Sequence, residues 1–593
     1  ADYLAFLDER LAGFERTAAA AACPRQRRWD KPRRAQLPYP VGAGESPAGK
    51  SYLAIAWALG EAADAEELTA WEVISSLLLG HEAAPLKKAI IDSKLGADLL
   101  PSGSYEIGPE RVFFVGLKGS EAERGEALLA LVRRTLAETA ERGITPERVD
   151  RALQQLAYRH LEIAPLFPLR VMESVNQAWL CGKEPTLLLQ MGEHLAACRR
   201  RYDADAAFFS RRIRTGLLEN AHRLELALVP DATMAAREEA AFAEAMRARK
   251  AQFSAAALAE IGRNAAEIER LNSEPNPPEA LATLPQLQVK DLPPTPRHIP
   301  TTAERVGDGL TLLRNDVFSN GVCYLDIDVA LDDLPEELYP LVPHYEGAFA
   351  KLGAAGQPFT RVAERRAAST GGLRASFAIL SHALSADDRS PRLRFSLKTL
   401  DDRMEEALSV LRDLVFGLDP RDDARERDVL RQYHAATRAR LLNGGTAPAT
   451  AHARRGLTPE GHVRHVMDGL PALERATRLA EEYARRGPDL LAGIERIRDL
   501  ALRRGRWTAS FTGSDKAGER VRRALGDWAQ ALHPATPGGG KGVPFPGRKP
   551  PTREGLAAPI QVAHCARVMP APHRSHPDAP LLRIGAHLAR FDY

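Results

Sequence analysis

The chain has 593 residues, of which 44% are hydrophobic and 27% charged, a length that suggests about four ordinary domains. That balance excludes a mostly disordered chain, a collagen-like repeat and a small disulfide scaffold. Lys and Arg number 81 against 78 Asp and Glu, the net charge is +3 and aromatics are 6%, so nucleic acid finds neither an electrostatic footprint nor a base-stacking platform.

The chain opens in an amphipathic helical pattern (Tyr3, Leu4, Phe6, Leu7, Leu11, Phe14), followed by a Pro- and Arg-rich stretch from Cys23 to Pro47 that reads as linker. Tyr52–Trp57 is a short apolar run ended by Gly60, a buried strand. Ala65–Leu79 has helical spacing with one broad apolar face, and Pro85 starts a second helix ending by Gly96. Ser102–Ile107 and Val112–Leu117 are two strands split by Gly108-Pro109, a hairpin signal. Two long helices follow, the second opened by Thr145-Pro146-Glu147. Arg223–Val229 alternates as a strand. Ala232 to about Leu271 is Ala-, Glu- and Arg-rich with helical period, a hairpin or long helix, and the proline-loaded segment from Asn272 to Pro300 is the clearest internal boundary.

The pattern then restarts. Gly321–Val329 is a strand, Pro335–Leu352 a helix, and a second helix ends near Thr370. Gly371-Gly372 opens a strand to Leu380 that pairs with Leu393–Leu397. Long helices cover Asp402–Phe416 and Asp422–Leu442, and Arg506–Phe511 is a closing strand with a helix to Leu532. After a Gly/Pro linker, Pro537–Gly555, a third restart has strand Ile560–Val568 and helix Pro577–Phe591. One order therefore recurs, giving an α+β fold class of repeated domains, each an antiparallel-rich sheet with helices on one face. Both chain ends read as cut within a domain. Five scattered cysteines (Cys23, Cys181, Cys198, Cys323, Cys565) without a CxxC read as reduced, buried thiols, and no apolar run reaches the roughly 20 residues that cross a bilayer.

Gly44-Glu-Ser-Pro-Ala-Gly49-Lys50-Ser51 satisfies the phosphate-loop pattern GxxxxGK[ST], which needs a buried strand before it and a helix after it. Two prolines precede it and a strand follows, so a surface linker competes with a P-loop NTPase. Among the 16 histidines no HExxH or HxxEH is complete. His222-Arg-Leu-Glu225-Leu226 fails at the fifth position, Gln190-Met-Gly-Glu193-His194 at the first, and His81-Glu82 runs into Pro85. His462/His465 and His573/His576 lack a carboxylate at the right helical spacing, although Asp468 keeps the first pair open. No GxSxG is present, and Gly371-Gly372 is a structural opening to its strand.

Ser76-Leu-Leu-Leu-Gly80, Ala84–Ile91 and Leu95-Gly96, together with Asn220-Ala-His222-Arg223 leading to Val229-Pro230-Asp231, resemble the second domain of pitrilysin/insulinase-type zinc peptidases of the presequence-protease branch. Ala232–Leu271 and Leu284–Asp291 resemble its inter-half hairpin, and Asn320-Gly321-Val322, Tyr324 and Thr370-Gly371-Gly372 its third domain. Gly555–Pro559 with Gln561-Val562 is similar to the start of its fourth. The resemblance implies four homologous domains closing as two halves around a peptide chamber, with zinc on an HxxEH helix of the first and an Arg…Tyr element late in the fourth. Both catalytic parts are lacking here. The implied layout is helix and linker 1–47, second family domain 48–231, helical connector 232–295, third domain 296–536, and linker with the start of the fourth 537–593.

The resemblance therefore implies the non-catalytic portion of a zinc-dependent metalloendopeptidase that encloses and degrades short unstructured peptides. Zinc belongs to the intact enzyme, with none expected in this chain. The implied partners are peptide substrates and the catalytic domain of the same protein, with no nucleic acid and no membrane. The alternatives are a zinc-free chamber-forming subunit and the NTPase. By the same resemblance Gly103, Ser104 and Tyr105 form a peptide-anchoring edge, against a plain hairpin strand with Tyr105 packed on the core. Reduced cysteines and Ala/Arg-rich composition point to a bacterial cytoplasm.

Overall fold

The computed structural model describes residues 2–15, 26–42, 44, 46–61, 65–81, 84–108, 110–285, 287–307, 309–385, 387–534, 543–547, 553–557 and 562–591. The chain forms two compact units, one from residues 1–153 and 166–296, the other from 154–165 and 297–593.

The first unit holds strands β1 (Arg33–Pro40), β2 (Ser51–Glu61), β3 (Asp98–Leu99), β4 (Gly103–Ile107), β5 (Glu110–Ser120) and β6 (Arg223–Asp231). Their order is β1-β6-β2-β5, with β3 and β4 following one another along the outer side of β5. Only β1 and β6 run parallel. Alternation decides which face is buried: Leu53, Ile55 and Trp57 of β2 and Phe113, Val115 and Leu117 of β5 are inside. Helix Ala65–Leu79 supplies Leu68, Trp71, Ile74 and Leu78 to this core. Trp71 lies 6.3 Å from Phe113, ring to ring. Asn220 of the sequence motif ties β2 to β6, donating to the Ala58 carbonyl (2.9 Å) and accepting from the His222 N–H (2.9 Å).

Residues 33–40, expected as linker, are instead strand β1. Pro38 and Pro40 are tolerated because β1 lies at the edge of the sheet, where alternate amides have no ladder partner to lose.

The second unit repeats the plan. Its strands are β7 (Thr301–Val306), β8 (Leu310–Asn315), β9 (Val322–Ala330), β10 (Gly353–Ala354), β11 (Gly372–Ser381), β12 (Arg389–Leu400), β13 (Leu418–Asp419) and β14 (Trp507–Thr512). Six form one sheet in the order β11-β12-β9-β14-β8-β7, and β10 pairs with β13. The parallel pair is β14–β8, next to antiparallel β9. Strand for strand, β8, β14, β9, β12 and β11 hold the places of β1, β6, β2, β5 and β3/β4, and β7 is an addition. The α+β class of repeated, antiparallel-rich sheets with helices on one face is thus the fold. The strand expected over Ile560–Val568 does not form across 562–568, where no described strand offers it a partner; 560 and 561 lie outside the described residues. The helix expected next is present at Ala579–Phe591.

In the second unit Tyr158 is 4% exposed. Its hydroxyl donates to the Ser369 carbonyl (3.3 Å) and accepts from the Leu400 N–H (3.1 Å). A Cβ on Gly371 would stand 2.5 Å from the Tyr158 ring, so the Thr370-Gly371-Gly372 motif is a packing device that lets the chain pass over an aromatic ring.

Glu346, on helix Val342–Ala348, accepts the Phe377 N–H of β11. Burial pushes Glu346 up to about 7 from an ordinary 4.5. The folded state therefore holds this proton more tightly than the unfolded chain. Its contribution to stability is full below about pH 4.5 and is lost as pH rises towards 7. Glu346→Gln should flatten that decline, gaining on the order of 1–3 kcal/mol on wild type between pH 5 and pH 8 in urea titrations. Equal pH slopes for the two proteins would refute this.

Two helices, Met234–Ala251 and Ala255–Ser273, have no buried residue. Ser254 caps the second, its hydroxyl accepting from the Ala257 N–H (3.2 Å). Ile261, Ile268 and Leu271 are all exposed.

Candidate peptide-binding edge

The hairpin signal at Gly108-Pro109 is realised as β4 and β5, paired from Ile107↔Glu110 to Gly103↔Phe114; Pro109 itself lies outside the described residues. The pairing register determines which backbone groups are free. The Ala58 N–H bonds the His222 carbonyl (3.1 Å), so even residues of β2 serve β6, and odd ones, Trp57 included, serve Phe113 of β5. Glu110, Val112 and Phe114 therefore turn their backbone groups to β4. Gly116 keeps the same parity, its N–H donating to Ser102 Oγ (3.1 Å) and its carbonyl accepting from the Leu100 N–H (2.9 Å). Gly103, Tyr105 and Ile107 take those bonds. The N–H and C=O of Ser104 and Glu106 consequently point away from β5, and no other described strand pairs with them.

The three residues singled out in the sequence have three different roles. Gly103 is buried with φ +141°, and a Cβ there would stand 2.4 Å from Ser75 Oγ, so its lack of a side chain lets β4 pass over helix Ala65–Leu79. Ser104 faces the helices, its Oγ accepting from Arg111 Nη1 at 2.9 Å. Tyr105 is 43% exposed and so does not pack on the core; with Ile107, also exposed, it lies on the other face of the sheet. Arg111, 3% exposed, pairs with Glu106 directly across the hairpin, and Glu106 also accepts from the Gln177 amide of helix Phe167–Leu180. Arg111, Glu106 and Gln177 were not read from the sequence. A signal existed for two of them, since an acid and a base five apart around a two-residue turn face each other.

The phosphate-loop reading is overturned. Ser51 opens β2, an antiparallel strand, where a helix is required. The Gly49 N–H, which would cradle a phosphate, donates to Glu121 Oε1 at 2.7 Å, so a carboxylate stands where the anion should be. Glu45 lies outside the described residues. ATP with magnesium should leave the melting temperature unchanged in thermal shift, and a reproducible rise would restore the reading. The histidine pairs gain no metal geometry. His465 packs 5.0 Å from His452, ring to ring, and burial with the nearby His452 and Arg455 pushes it down to about 4. His573 bonds Ser575. Among the described residues no group of three or more His, Cys, Asp or Glu could hold a metal ion, and no helix is long and apolar enough to cross a membrane.

Comparison with known proteins gives two family matches, the inactive domain of M16 peptidases over residues 2–156 and the peptidase-associated domain of M16 subfamily C over 228–479. Presequence protease 1, chloroplastic/mitochondrial, of Arabidopsis thaliana is 27% identical over 574 residues, covering 95% of this chain and 53% of the relative. The chain belongs to the insulinase-type M16 peptidase family, in its presequence-protease branch. Another member of that branch, the mitochondrial presequence protease of Xenopus laevis, is 26% identical over 503 residues, 84% of this chain and 48% of the relative. This M16 chain thus spans about half the length of the curated relatives it matches. Among solved structures, pitrilysin matches at 14% identity with a TM-score of 0.41, over 81% of this chain and 47% of that one.

Proposed function

We propose that this chain is the non-catalytic portion of a zinc-dependent metalloendopeptidase that encloses and degrades short unstructured peptides, and that β4 anchors the peptide as an added strand. The observation that carries the reading is the outward-facing N–H and C=O of Ser104 and Glu106 on an unpaired sheet edge, with Tyr105 and Ile107 exposed beside them. Main-chain hydrogen bonds at such an edge bind without regard to sequence, which suits a protein that must accept many peptides. The described residues do not fit a zinc site, so no hydrolytic step is assigned to them. The metal and the chemistry fall to a catalytic domain of the same protein, the proposed partner.

In this reading residues 232–295 connect two family domains, the second begins at 296, and 537–593 start a further one. The free thiols Cys181, Cys198, Cys323 and Cys565, of which Cys198 and Cys323 are buried as expected while Cys181 is half-buried and Cys565 exposed, support a reducing setting such as a bacterial cytoplasm. The test is hydrogen exchange of the full chain with and without an unstructured 15-residue peptide rich in Val, Thr and Ser. Slowed exchange over 103–107 is expected; unchanged exchange there at saturating peptide overturns the reading.

A further inference from the structure

The second sheet has an edge in the same topological place as β3/β4, namely β11. Its free groups follow from the register. The Leu331 N–H bonds the Pro391 carbonyl (2.8 Å), so odd residues of β12 serve β9 and even ones serve β11. Lys398, Ser396, Arg394 and Arg392 face Gly372, Arg374, Ser376 and Ala378. The N–H and C=O of Leu373, Ala375, Phe377, Ile379 and Ser381 therefore point away from the sheet.

Two of those groups are taken by side chains, one a carboxyl and one a guanidinium. The Glu346 carboxylate accepts the Phe377 N–H, and the Arg574 guanidinium donates to the Ser381 carbonyl. A carboxylate on an edge N–H and a guanidinium on an edge C=O stand where the carbonyl and amide of an incoming strand would bond. Charged side chains placed on an edge in this way prevent strand pairing. On β4, by contrast, no described side chain bonds the outward groups of Ser104 or Glu106.

We propose that β11 is a second strand-addition edge for an extended peptide, and that Glu346 and Arg574 hold it closed. The plugs would then explain how a chain with two equivalent edges presents only one to a peptide. The inference rests on the strand-addition reading of β4, but its readout lies elsewhere in the chain.

The test uses the full chain carrying Glu346→Ala with Arg574→Ala, and the same fluorescein-labelled Val/Thr/Ser-rich peptide. Fluorescence anisotropy should show stoichiometry rising from one peptide per chain to two, and hydrogen exchange should show new protection over 373–381. A stoichiometry that stays at one, with 373–381 unprotected and the melting temperature kept, overturns the proposal. If the double variant does not fold, Arg574→Ala alone is decisive, because Arg574 is exposed. Peptide-dependent protection at 379–381 then supports the proposal, and its absence refutes it. Protection at 103–107 in the wild type reports separately on β4, so failure there is not mistaken for failure here.

Discussion

Ser104→Pro should weaken binding of an unstructured peptide by about tenfold or more, while Ser104→Ala leaves it within about twofold. The difference between the two variants depends on where the Ser104 amide points. Its N–H faces away from β5, so proline removes no bond of the β4–β5 ladder and its ring occupies the space in which an added strand would lie. Alanine removes the hydroxyl that accepts from Arg111 but keeps the N–H. A purely structural role for Ser104 predicts equal losses, because the Arg111 contact is removed in both variants and only the amide separates them. Anisotropy titration measures affinity, and circular dichroism checks that both variants keep the fold. Equal affinities for proline and alanine would end the case for β4.

The largest stability effect should come from Tyr158→Ala, at about 3–5 kcal/mol by urea unfolding. The change empties the volume of a ring that is 4% exposed, and it strands the Leu400 N–H bonded to its hydroxyl, while the Ser369 carbonyl keeps the Thr399 hydroxyl at 2.8 Å. Gly371→Ala approaches the same place from the other side: its Cβ would sit 2.5 Å from that ring, an overpacking cost of about 1–3 kcal/mol. The two changes share one volume, so their sum must fail. In the double variant the alanine methyl enters the space the ring has left, and the combined loss should fall short of additivity by about 1 kcal/mol. Strict additivity would mean that the glycine is there for some reason other than the ring.

What the sequence revealed, and what it concealed, follows from how each element is buried. Strands β2, β5, β9 and β12 are central and apolar enough to be legible, β2 as a short apolar run ended by Gly60 and β5 from the turn at Gly108-Pro109. Strand β1 was not, because at an edge proline costs little and the usual argument against a strand loses its force. The Ile560–Val568 expectation errs the other way: alternation is necessary for a half-buried strand, but a strand exists only where another offers a ladder. At the candidate site, the hairpin and its small residues could be seen, yet the role of Gly103 could not. Its glycine answers to Ser75 on a helix nearly thirty residues away, a contact only the fold creates. The outward parity of Ser104 was equally hidden, since it depends on the pairing of β2 with β6, far off in the chain.

The helices Met234–Ala251 and Ala255–Ser273 have a thermodynamic consequence. With no buried residue in Met234–Ala251 or Ala255–Ser273, apolar packing contributes almost nothing to them, and they are held by intrinsic propensity in an alanine-rich sequence. They behave as tethered peptide helices, so their melting is decoupled from that of the sheets. In calorimetry this segment should appear as a broad, low-enthalpy shoulder ahead of the main transitions, and one two-state fit to the whole trace would misstate its van't Hoff enthalpy. An Ala→Gly change at an exposed position of either helix would move that shoulder by its propensity cost, about 1 kcal/mol, and leave the transitions of the sheets where they were.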